Sequence, residues 1–196
     1  MNINQDLFRI ETNHRMPEQG DVLISEPFLQ DHFFGRSVVL LVEYSGSGAM
    51  GLVLNKSLPL CLNEILTGFE DCCRIPVCRG GPLSMDTLFY LHTLKGVQGA
   101  LAIGKNLFLN GDFDTIRDYI MQGNPIKGKL RFFLGYSGWN ERQLCDEVKD
   151  NTWMVGYGGA TTVMNDDVTG FWENELSKLG YKYRLWSRFP QIPILN

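Results

Sequence analysis

Four stretches of this chain carry side chains whose types and spacing could do chemistry. Gly135-Tyr136-Ser137-Gly138 stands between an apolar run and a helical pattern, the setting of a nucleophilic serine elbow. The G-x-S-x-G pattern is not completed, because position 139 is tryptophan. A tight strand-to-helix turn with Trp139 packed beneath it is the better reading. Arg79-Gly80-Gly81-Pro82 offers successive backbone amides that could nest an anion, with Arg79 adding charge. Pro82 has no amide, and the run lacks the Lys-Ser/Thr ending of a phosphate loop, so a plain turn is expected. Arg36 presents a fork suited to a carboxylate or phosphate, but Asp31 or Glu43 can pair with it inside the protein, and that internal pair is favoured. His92 ends an apolar run with no second histidine or clustered carboxylate at ligand spacing, which suits a hydrogen-bonded structural histidine better than a general acid or base.

Metal and redox chemistry find little support. Cys72 and Cys73 are adjacent and Cys78 follows, but no histidine lies nearby to complete a zinc set. Thiols filling small apolar gaps or lying in a loop explain them better. Five cysteines is an odd count in a chain large enough to need no disulfide staples, which fits a reducing compartment. The first residues show neither a basic start nor an apolar core of signal-peptide length, and a cytoplasmic location is expected. No apolar stretch approaches the roughly 20 residues of a membrane span. A net charge of -4 and a pI near 5.4 argue against a nucleic-acid surface over the whole molecule. A local basic patch is still compatible, since Lys182, Arg184 and Arg188 interleave with aromatics in the tail. The alternation there fits a half-buried edge strand better.

The elements that must position these groups follow from apolar periodicity. Val38 to Val42 is an unbroken aliphatic run and Ala49 to Leu54 nearly so, as expected of strands buried on both faces. Ser45-Gly46-Ser47-Gly48 is too short for a crossover helix, so the two runs form an antiparallel hairpin at the centre of the sheet. Further strands are expected at Asp21 to Ile24, Ile75 to Arg79, Thr87 to His92, Gly99 to Ile103, Leu107 to Asn110, Leu130 to Leu134 and Thr152 to Tyr157. Helical spacing predicts a helix over Leu62 to Phe69 that starts near Pro59. A second, with Phe113, Ile116 and Ile120 on one stripe, is capped by Asn110 or Asp112. A third opens at Asn140 with Gln143 completing a capping box, and a last one runs from Asn165 to Leu179 with Asp166 and Asp167 at its positive end. Residues 1–19 read as a polar, loosely docked arm, and residues 20–196 as one domain that includes the aromatic and basic tail 181–196. The fold class is α+β: one domain with a large, curved, mostly antiparallel sheet and flanking helices.

Several blocks then stand in a common order. They are Gly20 to Ser25, Asp31, Phe34 with Arg36 to Val39, Gly48 to Gly51, Val53 to Lys56, Gly80-Gly81-Pro82, Leu91-His92-Thr93, and Leu134 to Trp139 with Gln143-Leu144. In that order, from about Gly20 to Gly180, the chain resembles the bacterial YqgE/AlgH family. The resemblance implies a compact cytosolic bacterial protein with a bifurcated, barrel-like sheet, and a regulatory label without an established biochemical activity. Relatives commonly carry alanine at the position of Ser137, which removes it as a shared nucleophile. The cysteine-bearing segment between Phe69 and Val77 and the tail after Gly180 depart from the family pattern.

These readings converge on a non-enzymatic, cytosolic regulatory or small-ligand-binding protein with no cofactor or metal. Its expected concave site is formed by Arg36, Asn55, Gly80, Gly81, His92, Tyr136 and Trp139, and its expected partner is a small anionic ligand or another protein. Two alternatives belong to other classes: an enzyme using Arg36 as anion clamp and His92 as acid-base group, and a nucleic-acid-binding regulator acting through the basic tail.

Overall fold

Residues Val38 to Val42 are wholly buried, and the hairpin they begin lies in the middle of the sheet. The computed structural model describes residues 10–70 and 72–190. Strand β2 (Val38–Ser45) pairs antiparallel with β3 (Gly48–Val53), with a register shift between Leu41 and Glu43. On the far side of β2 lie β1 (Asp21–Ser25) and then β10 (Trp153–Tyr157), both antiparallel. On the near side β3 meets β9 (Leu130–Asn140), the longest strand described.

The sheet branches at β9. Its second half, Ser137 to Asn140, pairs with β3, while Phe132 to Leu134 pair parallel with β5 (Pro76–Arg79), which carries β4 (Ser57–Cys61) as its outer neighbour. The other edge of β9 pairs with β6 (Leu83–His92), and β8 (Leu107–Leu109) and β7 (Leu101–Gly104) follow. Strands β10 and β7 end the sheet, so it stays open. The α+β class and the bifurcation agree with expectation.

Helices cover the faces. Helix α5 (Phe171–Lys178) and α6 (Tyr181–Trp186) bring Trp172, Leu176 and Trp186 onto Val38, Leu40 and Leu52. Helix α2 (Phe113–Met121), capped by Asp112 as expected, packs Ile116 and Ile120 against Phe132 and Tyr90. Helix α3 (Gln143–Lys149) sets Leu144 and Val148 beside Trp139 and Trp153. Two short turns, α1 (Leu62–Ile65) and α4 (Ala160–Val163), complete the described helices.

Four expectations are corrected. The predicted helix over Leu62 to Phe69 shrinks to the single turn α1, while the residues just before it, with Leu58 and Leu60 alternating, form β4. Pro59 is tolerated there since β4 is an edge strand. The helix expected from Asn165 to Leu179 begins only at Phe171, after Gly170 at φ 62°, so Asp166 and Asp167 do not sit in its first turn. The tail is helical rather than an edge strand: Tyr183 and Trp186, three apart, meet edge to face at 5.2 Å, and Trp186 is fully buried. Residues 191–196 of that tail lie outside the described residues. Finally, Gly135 to Trp139 is not a strand-to-helix turn but lies within β9. Ser137 is buried in the sheet, and its Oγ donates to the Gly80 carbonyl at 3.1 Å.

The described part of the polar arm is fastened along the outer strand. Asn13 donates from Nδ2 to the Val155 carbonyl (2.7 Å) and accepts the Val155 amide (3.2 Å), so one side chain imitates a neighbouring strand. Residues 1–9 of that arm lie outside the described residues. Such cover blunts a β edge that could otherwise recruit another chain.

The branch point depends on missing side chains. A Cβ on Gly80 would lie 2.1 Å from the Gly135 carbonyl oxygen, and one on Gly81 would lie 2.2 Å from the Tyr136 carbonyl carbon and oxygen. Both contacts are with backbone that cannot rotate away. Gly81→Ala is therefore expected to lower the unfolding free energy by at least about 3 kcal/mol, whereas Gly46→Ala, with open space around it, should leave it nearly unchanged in urea denaturation.

Candidate functional site

Several of the shared blocks meet at the branch point and one loop beside it. Gly80 donates its amide to the Leu134 carbonyl (2.8 Å), and its own carbonyl accepts the Val53 amide (2.9 Å). That amide is thus spent on the sheet, as a turn residue's would be. Asn55 accepts the Val38 amide at Oδ1 and donates from Nδ2 to the Arg36 carbonyl, both at 2.9 Å. Lys56 Nζ donates to the Gly35 carbonyl at 2.7 Å. From the other side, Asp31 Oδ1 accepts the amides of Phe33 and Phe34 at 2.8 Å each. The loop from Asp31 to Arg36 is held at both ends, with Arg36 in the left-handed region at φ 52°.

The expected site residues fall in different places. Arg36 lies 5.0 Å over the Trp172 ring, 3.7 Å from Glu173 and donates to the Phe189 carbonyl. Its ionic partner is Glu173 of α5, neither Asp31 nor Glu43, because α5 folds back over the loop. His92 is fully buried, with Nε2 2.9 Å from the Asn110 carbonyl and its ring stacked 5.5 Å from Phe108. Because a carbonyl only accepts, Nε2 carries the proton and Nδ1 has no partner. Arg36 thus packs with the α5 layer and His92 with Tyr90, on the side covered by α2. Tyr136 packs on Phe89 at 5.8 Å, and Gly80 and Gly81 sit in the branch.

Trp139 opens onto the most spacious of the described cavities, about 370 Å³, between the Asp31 loop and α3. Phe34, Trp139 and Trp153 form its apolar wall, and Asp31, Gln143, Glu147 and Thr152 its polar one. The rings meet edge on: Phe34 is 5.6 Å from Trp153, which is 6.1 Å from Trp139. Glu147 ties the wall together. Its Oε2 accepts both indole N–H groups, from Trp139 at 2.9 Å and Trp153 at 2.7 Å, while Oε1 accepts from Gln143 at 2.9 Å. Gln143 in turn accepts the Asn140 amide at 3.0 Å, which realises half of the expected capping box although α3 starts only after Arg142. Glu147 escaped the sequence reading because an isolated glutamate on a helix carries no signal; only the return of α3 onto β9 joins it to both tryptophans.

A second cavity of about 330 Å³ is bounded by Tyr44, Asn140, Arg142 and Cys145. The Tyr44 hydroxyl lies 3.2 Å from Cys145 Sγ. That contact, with partial burial, pushes the phenol up to about 12, so it stays neutral at physiological pH. Among the described residues no group of three or more His, Cys, Asp or Glu side chains is placed to hold a metal ion, and no helix is long and apolar enough to cross a membrane.

An open, branched, mostly antiparallel sheet with its glycine-lined fork and pinned loop defines the class of protein. The AlgH-like family matches residues 22–184, and the chain belongs to that family. It is 58% identical to a UPF0301 protein of Bacteroides fragilis and 52% identical to one of Bacteroides thetaiotaomicron, each over the full length of both chains. Among solved structures it is similar to the AlgH protein of Pseudomonas aeruginosa (26% identity, TM-score 0.69, 90% of this chain and 98% of that one). Its fold is also that of protein DIP2367 of Corynebacterium diphtheriae (21% identity, TM-score 0.75, 96% and 100% covered).

Removing the Glu147 carboxylate would strand two indole donors on tryptophans that are almost completely buried. Glu147→Ala is expected to cost about 2–4 kcal/mol in urea unfolding, with both indole N–H resonances shifting. Asp146→Ala, one residue away and with its side chain paired to exposed Lys149, should change neither reading appreciably.

Proposed function

We propose that this protein is a non-enzymatic, regulatory small-ligand-binding protein whose site is the cleft walled by Asp31, Phe34, Trp139, Gln143, Glu147 and Trp153. The observation that carries this reading is Glu147. Its charge lies at the wall of a roomy aromatic cleft, stabilised by three neutral N–H donors, with no cation among the lining residues. Asp31 adds a second carboxylate that only backbone amides serve. Opposite charge is the natural complement of such a wall, so the ligand of this cleft carries an ammonium or guanidinium group set against apolar rings.

An enzyme built on Arg36 and His92 has less in its favour. Arg36 is engaged by Trp172, Glu173 and Phe189, and His92 has no exposed surface through which a substrate proton could pass. Nucleic-acid binding through the tail is likewise weakened, since Trp186 is buried and Lys182 sits over its ring at 4.9 Å.

Titration with arginine and with tetramethylammonium, followed through the indole N–H resonances of Trp139 and Trp153, tests the proposal. Saturable shifts are expected with these cations and not with glutamate at equal ionic strength, and Glu147→Gln should weaken binding about tenfold. Indole resonances that do not respond to either cation would refute it.

A further inference from the structure

The back of the same loop presents the opposite charge. Arg79 donates its amide to the Lys56 carbonyl at 2.7 Å, so the two side chains leave the sheet at neighbouring points. Lys56 Nζ reaches the Gly35 carbonyl, using one of its three protons, and the Arg79 guanidinium lies 5.6 Å over the Phe33 ring. Both side chains are partly buried. Neither takes part in an ion pair among the described residues, although the chain as a whole carries a net charge of -4. The buried side-chain nitrogens and oxygens without a partner are Arg36 Nε and His92 Nδ1 alone among the described residues. The Arg79 guanidinium, which donates to nothing there, therefore keeps its N–H edge open to solvent.

Two cations side by side at a partly desolvated position repel each other. Burial first, and the Arg79 charge second, hold the Lys56 ammonium below its ordinary value. Folding of the loop accounts for one proton of Lys56 and one face of Arg79. It leaves unused a planar fork of donors and two ammonium protons, on side chains that rest on loop residues two apart, Phe33 and Gly35.

We infer that Lys56 and Arg79 form a binding site for an oxyanion, with a phosphate group as the preferred ligand. The guanidinium supplies a bidentate fork and the ammonium a point charge. A phosphate carries about -1.5 to -2 at neutral pH and balances both cations, whereas a carboxylate balances only one. This site is separate from the Glu147 cleft and does not rest on that reading. Phe33 and Gly35 face the cation pair, while Asp31 and Phe34 of the same loop face the cleft.

The probe is inorganic phosphate, titrated by backbone NMR with sodium chloride at equal ionic strength as control and acetate as the single-charge comparison. Thermal shift alone is unsuitable, since phosphate stabilises folded proteins by exclusion from their surfaces. The expected result is saturable perturbation confined to residues 33–36, 56–57 and 79–80, weaker with acetate, with the Lys56 ammonium titrating at higher pH when phosphate is bound. Arg79→Gln should weaken phosphate about tenfold, and Arg79→Lys, which keeps the charge and loses the fork, by less. Perturbations that chloride reproduces, or that lie elsewhere on the surface, overturn the inference from the wild-type protein alone. Unchanged affinity in a folded Arg79→Gln protein overturns it as well.

Discussion

Three segments of backbone pass through one point, and almost everything else in the molecule is arranged so that they can. Where β5 turns toward β6, the chain at Gly80 and Gly81 presses against β9 at Gly135, Tyr136 and Ser137, while Val53 at the end of β3 bonds into the same junction. No side chain fits between them. The glycines pay for this contact in unfolded-state entropy, and the return is a sheet that splits: β3 continues along the second half of β9 and β5 along the first.

The fork also settles what stands beside it. Because β3 must end at Val53, the chain leaves the sheet at Asn55 and Lys56, and these two side chains reach back to fasten the Asp31 loop. That loop then has two working surfaces. Phe34 and Asp31 look toward α3 and the tryptophans, whereas Phe33 and Gly35 look toward Lys56 and Arg79. Placing carboxylates on one surface and unpaired cations on the other keeps two oppositely charged clusters apart by a single turn of chain.

Buried polar groups around this frame are served almost without exception. Arg131 is nearly inaccessible, yet its guanidinium donates to the carbonyls of Val163 (2.7 Å) and Leu54 (2.6 Å) and lies 5.3 Å over Phe133. A charge so placed costs desolvation energy, offset here by hydrogen bonds that join β9, the end of β3 and α4. The two unserved buried side-chain atoms among the described residues, Arg36 Nε and His92 Nδ1, are in residues already fixed by other contacts. Arg36 closes the C-terminal segment onto the loop, and His92 joins β6 to the turn at Asn110.

Much of this frame is written locally. An aliphatic run such as Val38 to Val42 can only be buried, a four-residue Gly/Ser connector can only make a hairpin, and an amphipathic stripe preceded by Asn110 and Asp112 reads as a capped helix; these needed no tertiary information, although only the structure selects Asp112 as the cap. Where two periodicities coexist, packing chose between them: Leu58 and Leu60 went to an edge strand just before the single turn α1, and Tyr181 to Trp186 became a helix because Trp186 found the α5 layer. The glycines of the fork were recognised as a turn from their types, but which backbone they touch is a matter of segments more than fifty residues apart. The same holds for the chemistry. Residue type alone identified Arg36, His92 and Trp139 as capable groups, while the partners that occupy Arg36 and His92, and the glutamate that joins Trp139 to Trp153, arise only when distant elements close on one another. A side chain's capability is a local property, but its environment is made by the fold.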